Sequence, residues 1–204
     1  MSDAAAWIDD LADGAPDIVA AWRGIDTGRL IEVRREVRHR AGQGSAERVA
    51  PQLAVLADAL AAIVDSLHDE EVLMDGGEEG WNVAQAIGHD CDARAGLSLA
   101  AARAASGQWP ANAPKVVPGV AGPADADRAA LARKIAQSQR IVERAARSVA
   151  GREADPCPLE HPLVGRLRCG EWLLFAGVHD LMHLGQLHAI VDGRGTRGLP
   201  ETTR

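Results

Sequence analysis

Three imidazoles carry the chemistry this sequence could perform. Between Phe175 and Ile190, His179 and His183 stand four residues apart and Gln186 follows three residues later. On an α-helix those offsets fall on one face, with the two imidazoles about 6 Å apart along the axis. Imidazoles so placed can reach a single metal ion. Leu173, Leu174, Phe175, Val178, Leu181, Met182, Leu184, Leu187 and Ile190 surround them. The segment is therefore apolar nearly all round, which predicts a central, buried helix. Buried imidazoles without partners are costly, so a further group elsewhere in the chain must satisfy them. His89 supplies it, two turns into a second predicted helix that Asn82 and Gln85 open as a capping-box pair.

Three imidazoles and an open position form the pattern of a catalytic zinc-type site, where a bound water becomes acidic enough to react near neutral pH. Nickel, iron or manganese suit the same donors. Gln186, one turn on, could hold a water or orient an imidazole. The alternative is a non-catalytic helical protein, its histidines forming a structural metal site or a buried polar network and its N-terminal segment an interaction surface. Asp90 and Asp180 point about 100° around their helices from His89 and His179, which suits structural contacts rather than ligation. His188 lies about 140° from His183 and is peripheral. His161 precedes Pro162 in a loop, either structural or at a pocket mouth. His68 sits where it can interact with a helix C-terminal dipole, and His39 belongs to a charged surface. Cys91, two residues from His89, faces the other way and should pack in the core. Cys169 at a helix start could have a lowered pKa, but as a nucleophile it would need His179, about three turns away.

The elements that must position these groups read as helices. Residues 1–23 allow one or two short helices around Gly14-Ala15-Pro16, and residues 27–40 form another with a narrow apolar stripe at Leu30, Val33 and Val37. Ala46 to His68 is the first long core helix, and Asp69 to Gly80 is an acidic loop without EF-hand spacing. The second long helix, 82–106, carries a face of small residues (Ala86, Ala93, Gly96, Ala100) that predicts close approach of a neighbouring helix. A proline-rich connection, a third helix over 123–150, an irregular stretch over 151–167 and a fourth helix from about Cys169 to Gly193 follow. The expected fold is all-α: a four-helix bundle over 46–192 with an N-terminal helical extension (1–45) and a loose C-terminal tail (193–204).

Composition agrees. The chain has 204 residues, no Tyr and one Phe, so strand-favouring side chains are scarce. A net charge of -7 without a basic, aromatic-interleaved stripe argues against nucleic-acid binding. The run Arg34, Arg35, Arg38, Arg40 reads as a solvated helix face paired with Glu32 and Glu36. No apolar run long enough to cross a membrane is expected. Acids near Met1 argue against a secretory leader. Three cysteines without a close pair suit free thiols in the cytoplasm.

Two stretches carry a resemblance to the DinB/YfiT-like superfamily of bacterial four-helix proteins. Trp81-Asn82-Val83-Ala84-Gln85-Ala86-Ile87-Gly88-His89 is similar to its tryptophan-led helix with a histidine two turns in. His161-Pro162-Leu163-Val164-Gly165-Arg166-Leu167, then Glu171-Trp172, then His179-x3-His183-x2-Gln186 resemble the HP-x-x-G-x-L … EW … H-x3-H-x2-Q pattern of one branch. The resemblance implies that His89, His179 and His183 hold a divalent metal, zinc or nickel first and iron or manganese next. It implies an enzyme that activates a low-molecular-weight thiol, as the superfamily's thiol S-transferases and a thiol-dependent isomerase do, or a water, as a hydrolase would. It also makes a homodimer plausible. Arg168 departs from the pattern, where relatives carry Thr as the cap of the fourth helix, so either the cap comes from elsewhere or the helix start is shifted. Residues 1–45 have no counterpart in the resemblance.

Overall fold

The computed structural model describes residues 6–24, 30–77, 80–117, 119–162 and 164–197. Expectations that fall on other residues lie outside these: the first residues of the helix placed at 27–40, Glu78 and Glu79 of the acidic loop, and the tail beyond Arg197. Seven α-helices are present among the described residues: α1 (Ala6–Ala12), α2 (Pro16–Arg23), α3 (Leu30–Arg40), α4 (Ser45–Ser66), α5 (Val83–Ala105), α6 (Arg128–Val149) and α7 (Cys169–Arg197). A two-stranded antiparallel hairpin, β1 (Pro156–His161) and β2 (Gly165–Arg168), precedes α7.

The four long helices form the expected bundle. Both α4 and α5 pack against both α6 and α7, so α4 and α5 stand diagonally opposed. In α6 the buried positions Leu131, Ile135, Ser138, Val142, Ala146 and Val149 recur at helical spacing, the stripe that fixes which face turns inward. α4 is long and apolar enough by composition to cross a membrane, contrary to the sequence reading. It instead buries Val49, Leu53, Leu56, Leu60, Ile63 and Val64 in the bundle core. α7 is the central helix: Trp172, Leu173, Leu174, Leu181 and Leu184 are completely buried, while Met182 is exposed.

Three boundaries differ from expectation. α6 starts at Arg128, not at Pro123, because the Asp127 side chain accepts the Ala130 N–H at 2.6 Å and caps the helix there. The stretch 151–167, expected as irregular, forms the hairpin; Glu160 pairs with Arg166 and His161 with Gly165. Segment 115–117 lies against β1, with Val117 N donating to Glu160 O and Glu160 N to Lys115 O. At the start of α7, the missing Thr cap is replaced from three directions. Cys169 N donates to Asp155 O, Gly170 N to Glu153 O, and Glu171 accepts the Arg168 N–H at 2.8 Å. The fourth long helix then continues to Arg197, past Gly193.

The N-terminal helices cover the outer face of α7. α2 lies against α4 and α7. A Cβ at Gly177 would stand 2.5 Å from Ile18 Cδ1, so this glycine is the notch that admits Ile18. Trp7 packs over Gly185 and stacks on His188, ring centroids 5.0 Å apart. Ala15 has no capping side chain, and α4 provides one: Gln52 Oε1 accepts from Asp17 N at 2.9 Å and Ile18 N at 3.2 Å. In α3, Arg35 and Arg40 pair with Glu32 and Glu36 as the charge pattern predicts, and Arg38 reaches Glu171.

Candidate metal centre

His89 on α5 and His179 and His183 on α7 meet between the two helices. Their ring centroids are 5.3 Å (His89–His179), 5.1 Å (His89–His183) and 4.6 Å (His179–His183) apart. One ring nitrogen from each lies within 4.8 Å of the others, close enough to share one cation. His183 is buried, and His89 and His179 are half-buried. The i, i+4 spacing on α7 accounts for two of the three. The third arrives because α5 is capped as its sequence predicts, Asn82 Oδ1 accepting from Gln85 N at 2.8 Å and Gln85 Oε1 from Asn82 N at 3.1 Å.

Each imidazole has a different part of the chain beside its Nδ1. His89 Nδ1 is 2.8 Å from the Val120 carbonyl oxygen, which can only accept. That segment is brought in by a close backbone approach, since a Cβ at Gly88 would stand 2.8 Å from Pro123. His183 Nδ1 is 3.0 Å from Gln186 Oε1. Gln186 is oriented in turn because its Nε2 donates to the Gly76 carbonyl. Asp90 Oδ1 stands 3.3 Å from His179 Nδ1. A proton on Nδ1 of His89 and of His183 leaves the Nε2 lone pair of each ring free for a cation. Trp81 packs on the outer side of His89, centroids 5.0 Å apart. Burial holds the His183 pKa down, against the pull of Asp90, and keeps the ring in its neutral, coordinating form.

Behind the imidazoles lies a buried charge cluster that the sequence did not reveal. Arg94, completely buried, places Nε 3.0 Å from Asp180 and donates to the Leu53 carbonyl at 2.7 Å. Burial and the nearby Asp90 push the Asp180 pKa well up, while Asp90 keeps its charge, its pKa held down against its own burial by His179, His183 and Arg94. Asp90, His179 and Asp180 also come together as possible ligands. There, however, the arginine already provides the cation, so the three-imidazole cluster is the better metal site.

Other candidates fall elsewhere. His188 stacks on Trp7, on the side of α7 covered by α1. Cys91, Cys157 and Cys169 are free and buried. Burial pushes both Cys91 and Cys169 up to about 12, so Cys169 does not have the lowered pKa that its helix-start position suggested. The N–H groups next to it are occupied by backbone carbonyls. Of the small-residue face of α5, Ala86 is buried but the rest is open. Ala93, Gly96 and Ala100 line an open cleft of about 550 Å³ that has His89 and His179 in its wall. His161 lines it too, carried there by the hairpin and packed edge-on against Phe175.

A four-helix bundle with three converging imidazoles, beside a carboxylate, a glutamine and a backbone carbonyl, defines a helical protein whose donor cluster fits a divalent metal. The chain belongs to the DinB superfamily, whose family profile matches residues 52–187. No curated protein and no solved structure matches the chain.

Proposed function

We propose that this protein is a metal-dependent enzyme in which His89, His179 and His183 hold a divalent cation, zinc or nickel before iron or manganese. It would activate a low-molecular-weight thiol for transfer to an electrophile or, as the second form of the same reading, a water for hydrolysis. The observation that carries the proposal is the convergence of three imidazoles, one ring nitrogen of each within 4.8 Å of the others, with two of the rings oriented by hydrogen bonds at Nδ1. A cation bound there would lower the pKa of a thiol or water beside it. The chain's residues supply the rest. Gln186 orients His183, Val120 orients His89, and Asp90 places a carboxylate beside His179. The cleft beside His89 and His179 gives a small molecule a way in. That access favours catalysis over a closed structural site, which has four protein ligands and no approach.

Elemental analysis of protein purified without chelators, next to His183→Ala, tests the ligand set. The expected result is near-stoichiometric metal in the parent, none in the variant, and unchanged helix content by circular dichroism. Metal retained in the variant would refute the set; loss of helicity together with the metal would favour the structural alternative. Saturation of the rate with a thiol cosubstrate would then select transferase over hydrolase.

A further inference from the structure

The cleft that begins at His89 and His179 continues along α5 to Arg103, and its walls are almost entirely apolar. We propose that it binds an elongated apolar ligand, an alkyl or aryl chain with an anionic far end, laid along α5 between the imidazole cluster and Arg103. Which end of the ligand reacts rests on the proposed function; the binding itself does not.

Three observations point to this ligand. Gly96 sits inside α5, where glycine weakens a helix relative to alanine. Unlike Gly88 and Gly177, whose missing Cβ atoms would collide with neighbours, a Cβ at Gly96 would meet nothing within 4 Å. Packing therefore gives no reason for the glycine, and the space it leaves belongs to the cleft. Next, Leu99 and Val120, 39% and 58% exposed, both line the cleft. Apolar side chains left in water around one concavity mark a surface that a ligand covers. Finally, two charged side chains other than histidine line it, Asp92 and Arg103. Asp92 is paired with Lys134 at 2.6 Å. Arg103 makes no ion pair among the described residues, and a guanidinium at the end of an apolar trough is suited to a sulfonate, carboxylate or phosphate. From His89 to Arg103 is about 20 Å of helix axis, so the ligand is long rather than compact.

Titration calorimetry with n-alkanesulfonates, from butane- to decanesulfonate, tests the proposal with a head group that ligates metals poorly. Affinity should rise about three- to four-fold per methylene and level off once the chain fills the cleft. Gly96→Leu, which puts an isobutyl group into the trough, should weaken the longest sulfonate at least ten-fold without lowering the melting temperature; Ala100→Leu is a second block should that variant melt. Arg103→Gln should weaken sulfonates about ten-fold and leave the matching 1-alkanols unchanged. Affinity independent of chain length, or wild-type binding by a folded blocking variant, would overturn the cleft assignment. Equal effects of Arg103→Gln on sulfonates and alkanols would overturn the anionic end. Chain-length-dependent binding in protein that holds no metal would support the cleft and overturn the metal reading alone; stoichiometric metal without it would do the reverse.

Discussion

Asp90→Asn separates the site's chemistry from the fold's stability. Asp90 is completely buried, 3.3 Å from His179 Nδ1. Asparagine has nearly the same shape, and its oxygen can still face Nδ1, so the ring direction is retained and only the charge is removed. A carboxylate behind a ligating imidazole raises its basicity, and losing such a partner costs about 10- to 100-fold in metal affinity. That corresponds to about 1.4–2.8 kcal/mol. The metal-free fold should respond differently. With Asp90 neutral, Asp180 loses the like charge that helps to push its pKa up, and it can carry the charge facing Arg94 at 3.0 Å. Apo stability should therefore change by less than about 1 kcal/mol, because one carboxylate still balances the guanidinium. Competition against a chelator of known affinity measures the first quantity, and urea unfolding of the apo protein the second. Unchanged metal affinity would refute the role of Asp90 behind His179. A large loss of apo stability would show that the charge cluster needs this carboxylate and not its neighbour.

The remaining predictions concern the scaffold. All three thiols should react slowly with a disulfide reagent at mildly alkaline pH in the folded protein and together once it is unfolded, since burial raises their pKa values; one fast thiol in the native state would contradict this. Burial lowers the pKa of His161, His183 and His188 in the fold. The unfolded chain then binds more protons below the ordinary histidine value, so apo stability is full above about pH 6.5 and is lost as pH falls through the lower folded values. Thermal melts of apo protein should show that fall, and His188→Phe, which keeps the stack on Trp7, should reduce it; a slope unaffected by the variant would count against His188. Gly177→Ala should destabilise by about 1–3 kcal/mol through the clash with Ile18. Ile18→Ala in the same chain should recover part of that loss, a coupling a double-mutant cycle reads directly.

The site was legible where one local rule decides the geometry. The His179-x3-His183 spacing can only be a shared face once the segment is helical, and the Asn82/Gln85 box fixed the helix that brings His89. Gln186 followed from the same periodicity. The partners that hold the rings were not legible, because the Val120 and Gly76 carbonyls are placed by loops and backbone atoms have no sequence signature. Asp90 read as a structural contact, but its neighbour in the fold, His179, lies on another helix and belongs to the imidazole cluster. Arg94 resembled any charged residue of an amphipathic helix; only packing revealed that it is buried with Asp180. The hairpin was missed because Pro158, Pro162 and Gly165 disrupt a strand pattern, and the parallel partner at Val116 is distant in sequence. The start of α6 was placed too early because Pro123 resembles a helix opening, while Asp127 makes the cap.

The Ile18 notch at Gly177 bears on how the protein can be cut and tuned. The family match begins at Gln52, the residue whose side chain caps α2 from within the bundle. A fragment trimmed to the matched region would keep His89, His179 and His183 but lose the outer wall of α7, leaving Gly177 and Gly185 as a bare furrow. Mechanically, α7 is a beam clamped along both sides, by the other bundle helices on one and by Ile18 and Trp7 on the other. The extension is then a remote handle on the site: substitutions at Ile18 or Trp7, which touch no ligand, would shift metal affinity by loosening the beam that carries two of the three donors.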